Sequence, residues 1–230
     1  MSADKINGIF SEWNERGLSY CLLRGWNGNK IVGSDIDILV SPASFELLEE
    51  VLTDNEFTVN RRGILFLDFF ATERYFDRTE NNSRVRFHVT DTLVFGKLTR
   101  KIRFPYENAI LNEATYKKDK NAKTPSPEHL VIIELIRTVI DKPDRLPEKT
   151  RIDAEALLEN ISLDCSSALS ELVEVYNAAC QQQIEPEQAQ AKGLFALKQV
   201  EGSEYQRRKI QRLYADLLIA GYRKTIKRFR

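Results

Sequence analysis

Cysteine and net charge are both scarce in this chain of 230 residues. Its three cysteines, Cys21, Cys165 and Cys180, are odd in number and show no C-x-x-C spacing, which argues against a disulfide framework and against a zinc site. Its 34 basic and 34 acidic residues cancel, so the overall charge gives no case for a nucleic-acid partner. The unpaired cysteines predict a reducing, cytoplasmic environment.

Long apolar runs are also missing. No segment approaches the roughly 20 consecutive apolar residues that a membrane-spanning helix needs. The first residues, from Met1 to Lys5, lack the apolar core of a secretory signal peptide. With no internal repeat or low-complexity tract, the sequence predicts a soluble globular protein of one large or two small domains.

One short stretch carries two carboxylates inside an apolar run. It extends from Gly33 to Val40, with Asp35 and Asp37 separated by one residue. Side chains at alternate positions of a β-strand point to the same face, so these carboxylates should lie side by side. Like charges repel and are costly to desolvate unless a cation lies between them, so the pattern favours a divalent metal and a polyphosphate substrate. A surface strand with two solvated aspartates is the simpler alternative.

The segment before this stretch supplies the other half of the pattern. Residues 18–23 predict a buried strand, which leads into Arg24, Gly25 and Trp26 and then a short loop. This pattern consists of a hydrophobic strand, a glycine turn, a spacer and a D-x-D strand. It resembles the signature of the DNA polymerase β-type nucleotidyltransferase superfamily. The likeness is greatest to small bacterial members associated with surface-polysaccharide gene clusters. The resemblance covers roughly residues 18 to 96. Trp26 departs from it, because the family usually has Gly or Ser there.

The resemblance implies an activity and a set of site residues. It implies transfer of a nucleoside monophosphate from an NTP to a small-molecule acceptor, such as a sugar or polysaccharide precursor, with release of pyrophosphate. Asp35 and Asp37 would hold Mg²⁺ or Mn²⁺ and take part in catalysis. Ser34 and the backbone near Gly25 would contact phosphates. Arg24 would either clamp a phosphate or a substrate carboxylate, or form a salt bridge with one of the two aspartates.

Members of the resembled family carry a third carboxylate on a neighbouring antiparallel strand. In this chain the segment from Arg84 to Asp91 is the natural place for it, and there His88 occupies the in-strand position while Asp91 follows the strand. A histidine, with a reference pKa of about 6.5, can accept the proton of an attacking hydroxyl. His88 and Asp91 are therefore the predicted third catalytic groups, with Asp68 as a further candidate. An edge histidine and a turn aspartate are the structural alternatives.

Hydrophobic periodicity predicts an α+β fold. Apolar spacing predicts a helix over residues 3–16, and Ser41 and Pro42 predict the start of another that runs through Leu52. The polar residues 117–123 predict a surface linker. Beyond the D-x-D segment, strands are predicted at 57–60, 64–70, 84–89 and 93–95. Residues 1–115 are thus expected to form a nucleotidyltransferase-like mixed β-sheet flanked by helices.

The C-terminal half is expected to be a helical domain over residues 124–230. Pro127 begins a strongly apolar helix that extends to Ile140, and Lys142 directly after it is a candidate nucleotide-binding residue in a cleft between the domains. Further helices are predicted at 153–159, 168–181, 186–200 and 204–229.

The last predicted helix surrounds an apolar stripe with basic residues. From residue 201 to residue 230 the chain has nine basic residues and three acidic ones, so this helix could contact RNA or an anionic membrane. Packing of its stripe against the domain is favoured over either partner. An RNA-modifying or toxin-like nucleotidyltransferase stays an alternative, as does a non-catalytic nucleotide-binding or scaffold module that lacks the third acid.

Overall fold

The structure, a computed structural model, describes residues 2–59, 73–80, 83–96, 102–148 and 166–198. Over these residues the chain forms a mixed α+β fold, as predicted. The helices are α1 (Ala3–Glu15), α2 (Phe45–Asp54), α3 (Glu107–Asn112), α4 (Pro127–Asp141), α5 (Ser166–Cys180) and α6 (Pro186–Lys198). The strands are β1 (Tyr20–Arg24), β2 (Ile36–Val40), β3 (Thr58–Val59), β4 (Glu73–Glu80), β5 (Ser83–Thr90), β6 (Val94–Phe95), β7 (Ile102–Arg103), β8 (Thr115–Lys117) and β9 (Ala122–Thr124). The predicted strand 64–70, the predicted helices 153–159 and 204–229, and Asp68 lie outside the described residues.

Five strands form the main sheet in the order β1-β2-β5-β4-β3. The central pair, β2 and β5, is parallel, whereas the other neighbouring pairs are antiparallel. The sheet is therefore mixed, with the D-x-D strand in a position where it has a neighbour on both sides. Two further strand pairs, β6 with β7 and β8 with β9, form separate small sheets.

The helices α1 and α2 bury one face of the main sheet. The helix α1 is amphipathic because apolar residues recur at helical spacing, and they pack in one cluster with alternate residues of β2 and β5. The cluster includes Ile6, Ile9, Phe10, Trp13, Ile36, Ile38, Val40, Val85, Phe87 and Val89. The intervening residues of β2 and β5, among them Asp37 and His88, point to the other face of the sheet.

The helix predicted to start at Ser41 and Pro42 starts later. Residues Pro42–Ser44 form a 3₁₀ turn, and α2 begins at Phe45. The backbone N–H of Ser41 donates to the carbonyl of Ser19 at 2.9 Å, which keeps Ser41 in extended geometry beside β1. The Ser44 hydroxyl accepts a hydrogen bond from the Ser19 N–H at 3.0 Å.

The prediction of a linker at residues 117–123 is wrong, although residues 117–119 are exposed as expected. These residues belong to the β8–β9 hairpin, in which Ala122 is fully buried. The side-chain amide of Asn121 donates to the backbone carbonyl of Asn7 at 2.7 Å, and the indole of Trp26 donates to the Lys120 carbonyl at 3.2 Å. The hairpin is held by these hydrogen bonds and by one buried alanine, which is too little apolar sequence for hydrophobic periodicity to show.

The described residues form two compact units. The first comprises the described parts of 2–93 and 106–126, with the main sheet, α1 to α3 and the β8–β9 hairpin; the second comprises those of 94–105 and 127–198. In the second unit, α4 packs against α5 and α6, and Gly193 lies so close to α4 that a Cβ there would be 2.5 Å from Val139 Cγ1. None of the described helices is long and apolar enough to cross a membrane.

Candidate active site

The face of the main sheet opposite α1 and α2 carries a concentration of charged side chains. It arises from strict alternation in β5, where Val85, Phe87 and Val89 enter the core and the residues between them do not. We call it the polar face. Its members are Arg24, Asp35, Asp37, Tyr75, Asp77, Arg84, Arg86 and His88.

One row of the polar face crosses four strands. Asp37 of β2 pairs with Arg24 of β1 on one side and with His88 of β5 on the other, and His88 pairs with Tyr75 of β4. The side-chain contacts follow this register: Asp37 Oδ1 lies 3.0 Å from His88 Nδ1, and Asp37 Oδ2 accepts from Arg24 Nε. The Tyr75 ring stacks on the imidazole, with ring centroids 4.6 Å apart. Both oxygens of the Asp37 carboxylate therefore have a cationic or imidazole partner.

A β-bulge brings Arg24 onto this face. Leu22 pairs with Ile38, but it is Arg24, not Leu23, that pairs with Asp37, so β1 has one extra residue at this point. In regular alternation Arg24 would share the buried face with Leu22. The bulge instead directs the guanidinium to the D-x-D aspartate. The structure shows the salt bridge that the sequence left open for Arg24, and its role toward phosphate stays a prediction.

A second row lies beside the first. Arg86 of β5 reaches both Asp77, with 2.8 Å between Nε and Oδ1, and Asp35, with 3.8 Å between Nη1 and Oδ1. Arg84 also binds Asp77, and this hydrogen bond raises the pKa of the Arg84 guanidinium. The Arg86 guanidinium lies over the Tyr75 ring, 5.1 Å from its centroid. Each D-x-D aspartate thus lies next to an arginine.

The turn at Gly25 packs directly on the residues that begin β2. Its φ is 91°, and a Cβ added there would overlap the Asp35 carbonyl oxygen and lie 2.8 Å from Ile36 Cα. No residue with a side chain fits this approach, which explains a glycine at this point of the motif. The Gly25 carbonyl accepts from Val32 N–H at 2.9 Å, so the loop closes on itself before the aspartates.

Trp26 lies within the hydrophobic core of the first unit. It is 3 % exposed and belongs to the same apolar cluster as α1. Its indole N–H is bound by the Lys120 carbonyl. Trp26 stands where the resembled family usually has Gly or Ser. Its ring lies beneath the loop and not over the polar face.

The remaining predicted site residues lie in different places. Ser34 is exposed on the loop immediately before Asp35. Asp91 follows the end of β5, three residues beyond His88, which corresponds to about 10 Å of extended chain. Lys142 follows α4 in the second unit, where its carbonyl accepts from Arg145 N–H at 3.0 Å. For Ser34, Asp91 and Lys142 a role in binding or catalysis stays a prediction.

Sequence reasoning did not identify Tyr75, Asp77 and Arg86 as members of the site. Tyr75 and Asp77 lie on β4, a strand of eight residues with only Phe76 in the core cluster. Such a charged segment has no apolar run to predict a strand. For Arg86 a signal was present, because Arg84, Arg86 and His88 alternate with apolar residues and so share one face.

The donor set of the polar face suits a magnesium ion that arrives with its substrate. Protein-bound Mg²⁺ usually has one or two carboxylate ligands and takes others from water and substrate phosphates. Asp35 and Asp37 provide two carboxylates on one face. Within the described residues, no group of three or more His, Cys, Asp or Glu side chains is placed to hold a metal ion. The arginines beside the aspartates balance their charges, as a metal ion would.

Comparisons with protein-family models, with curated proteins and with solved structures find no match to this chain.

Proposed function

We propose that the protein is a Mg²⁺-dependent nucleotidyltransferase that moves a nucleoside monophosphate from an NTP to a small-molecule acceptor. The observation that carries the proposal is the pair Asp35 and Asp37, which both belong to the polar face and lie next to the glycine turn that packs on Asp35. Two carboxylates alone are a weak signal. Their position next to a closely packed glycine turn and a neighbouring histidine makes the assignment more specific.

The proposed reaction is a displacement at the α-phosphorus of the NTP. The O–H bond of the acceptor breaks, an O–P bond to the α-phosphorus forms, and the bond from that phosphorus to the β-phosphate oxygen breaks, releasing pyrophosphate. Bound Mg²⁺, or Mn²⁺ in its place, would neutralise phosphate charge and lower the pKa of the attacking hydroxyl. Asp35 and Asp37 hold the metal in this scheme, and Ser34, exposed before them, contacts phosphate.

Two groups on the polar face can accept the proton of the hydroxyl. One is the carboxylate of Asp35, of which a quarter is exposed, against 8 % for Asp37. The other is the imidazole of His88, which the hydrogen bond to Asp37 orients. The Nε2 atom of His88 is shielded from solvent, which favours Asp35 as the group that meets the substrate and His88 as the group that positions Asp37.

The strongest competing proposal is a non-catalytic binding module with the same fold. The ion pairs of both aspartates with arginines favour it, because a face with balanced charges can be stable without a metal. The location of the protein and any RNA-modifying activity stay predictions.

The first experiment has two parts. Calorimetry measures Mg²⁺-dependent binding of the four NTPs, and a turnover assay measures pyrophosphate release with sugar phosphates or tRNA as acceptors. Asp35→Asn and Asp37→Asn should each abolish turnover, since each removes a ligand charge needed by the metal and triphosphate. Asp77→Asn is the matched control, because Asp77 lies on the same face and binds Arg84 and Arg86. NTP binding without pyrophosphate release in the wild type would favour the binding module, and equal effects of all three variants would refute the assigned roles.

A further inference from the structure

The two arginines that contact the D-x-D aspartates are held very differently. The Arg86 side chain is 12 % exposed and has Asp77 as well as Asp35 within reach. The Arg24 side chain is 51 % exposed, and Asp37 is its one ion-pair partner among the described residues. Leaving its partner costs an exposed guanidinium little, because water can solvate it. Arg24 is therefore the less constrained of the two arginines.

Arg24 also binds the carboxylate oxygen of Asp37 that a metal ion would need. The imidazole of His88 binds Oδ1 of Asp37, so Oδ2 is the oxygen through which Asp37 could coordinate a metal, and Arg24 binds Oδ2. A metal ion and the guanidinium therefore compete for one oxygen. Asp37 is almost entirely buried, so its carboxylate is more stable with a cation on Oδ2, either the guanidinium or a metal ion, than with none.

A triphosphate can resolve this competition. Guanidinium groups bind phosphate oxygens in a bidentate manner, as they bind carboxylates. Arg24 emerges from the bulge immediately before the glycine turn, on the same face as both aspartates. Moving from Asp37 to a phosphate would keep it paired while it frees Oδ2 for the metal.

We propose that Arg24 is an exchangeable latch on Asp37, which blocks divalent-cation binding until a nucleoside triphosphate takes over the guanidinium. The inference rests on the proposed function and adds to it an order of events. Metal alone binds weakly. Metal and triphosphate bind together, because the triphosphate removes the competitor of the metal. The latch also explains how a face built to hold a metal can keep both aspartates paired without one.

The test compares Arg24→Gln with Arg84→Gln in the full chain. Arg84 is the matched control, because it lies on the same face, is 45 % exposed and binds an aspartate that is not a proposed metal ligand. Binding of Mn²⁺ alone is measured by electron paramagnetic resonance, and binding of Mg²⁺ with ATP and with the other NTPs by calorimetry. Thermal unfolding of each variant shows whether its fold is retained.

We expect Arg24→Gln to change the two affinities in opposite directions. Arg24→Gln should bind Mn²⁺ alone about fivefold more tightly than Arg84→Gln does, the change that an ion pair of about 1 kcal/mol would produce, and should bind the Mg²⁺–NTP complex more weakly than wild type. Arg24→Lys, which keeps the charge, should bind Mn²⁺ alone as weakly as wild type. A merely structural Arg24 would not strengthen metal binding.

Two results would overturn the latch in different ways. If wild type binds the Mg²⁺–NTP complex but Arg24→Gln binds Mn²⁺ no more tightly than Arg84→Gln, the latch is refuted and the proposed function stands. If wild type binds no Mg²⁺–NTP complex at all, the proposed function fails and the latch fails with it.

Discussion

Replacing Gly25 by alanine should both destabilise the first unit and displace Asp35. A side chain at a φ of 91° costs about 1–2 kcal/mol, because left-handed backbone brings Cβ too close to the chain. The added Cβ would also overlap the Asp35 carbonyl oxygen, so the loop or the start of β2 must shift, which costs about 1–3 kcal/mol more. The expected loss in the free energy of unfolding is therefore about 2–5 kcal/mol, measured by urea denaturation.

Substitutions at two other glycines distinguish the backbone contribution to this loss of stability from the contribution of close packing. Gly33 has a φ of 101° with no atom within 4 Å of an added Cβ, so Gly33→Ala should lose only the backbone term of about 1–2 kcal/mol. Gly28 has a φ of 96°, and a Cβ there would overlap the Asp119 carbonyl of the hairpin, so Gly28→Ala should lose as much stability as Gly25→Ala. Affinity for the Mg²⁺–NTP complex should fall most in Gly25→Ala. If Gly25→Ala costs no more stability than Gly33→Ala, the close packing on Asp35 is refuted.

Three further predictions concern the rest of the chain. Trp26→Phe should lose about 1 kcal/mol of stability for the hydrogen bond to the Lys120 carbonyl and more for the smaller ring in the core. It should leave affinity for the Mg²⁺–NTP complex unchanged, and a change in affinity alone would place Trp26 in the site. Burial raises the pKa of the Cys21 thiol above its ordinary value of 9.0, so its contribution to stability is complete below pH 9 and is lost above it, at up to about 1.4 kcal/mol per pH unit. Urea denaturation across pH 8–11 should then show a smaller decline for Cys21→Ala, and an identical decline would contradict the assignment. Binding of the chain to RNA or to anionic vesicles should show no steep dependence on salt; a steep one would implicate the basic segment 201–230.

The parts of the site that sequence predicted are those that follow from alternation along one strand. Asp35, directly before β2, and Asp37 within it are two residues apart in extended chain and share a face. A third group at His88 was also expected, but on a strand antiparallel to the D-x-D strand, whereas β5 runs parallel to β2. That His88 lies opposite Asp37 follows from the β2–β5 register, which brings together segments that are 51 residues apart.

The parts that sequence did not predict depend on irregular or long-range geometry. One extra residue in β1 decides that Arg24 faces Asp37, and nothing in the apolar run before it marks that bulge. Asp77 joins the site through β4, whose charged sequence gives little indication of a strand. The hairpin beside Trp26 is held by hydrogen bonds from the side chains of Trp26 and Asn121 to backbone carbonyls that are distant in the sequence, and no local pattern shows which carbonyl accepts them.

The most direct test of the account is a crystal structure of the protein with Mn²⁺ and an NTP analogue that cannot release pyrophosphate. The account predicts an anomalous peak within coordination distance of carboxylate oxygens of both Asp35 and Asp37, bridged to the triphosphate, with the Arg24 guanidinium on a phosphate oxygen. A nucleotide bound away from the polar face, or bound there with Arg24 still on Asp37 and no metal between the aspartates, would contradict it.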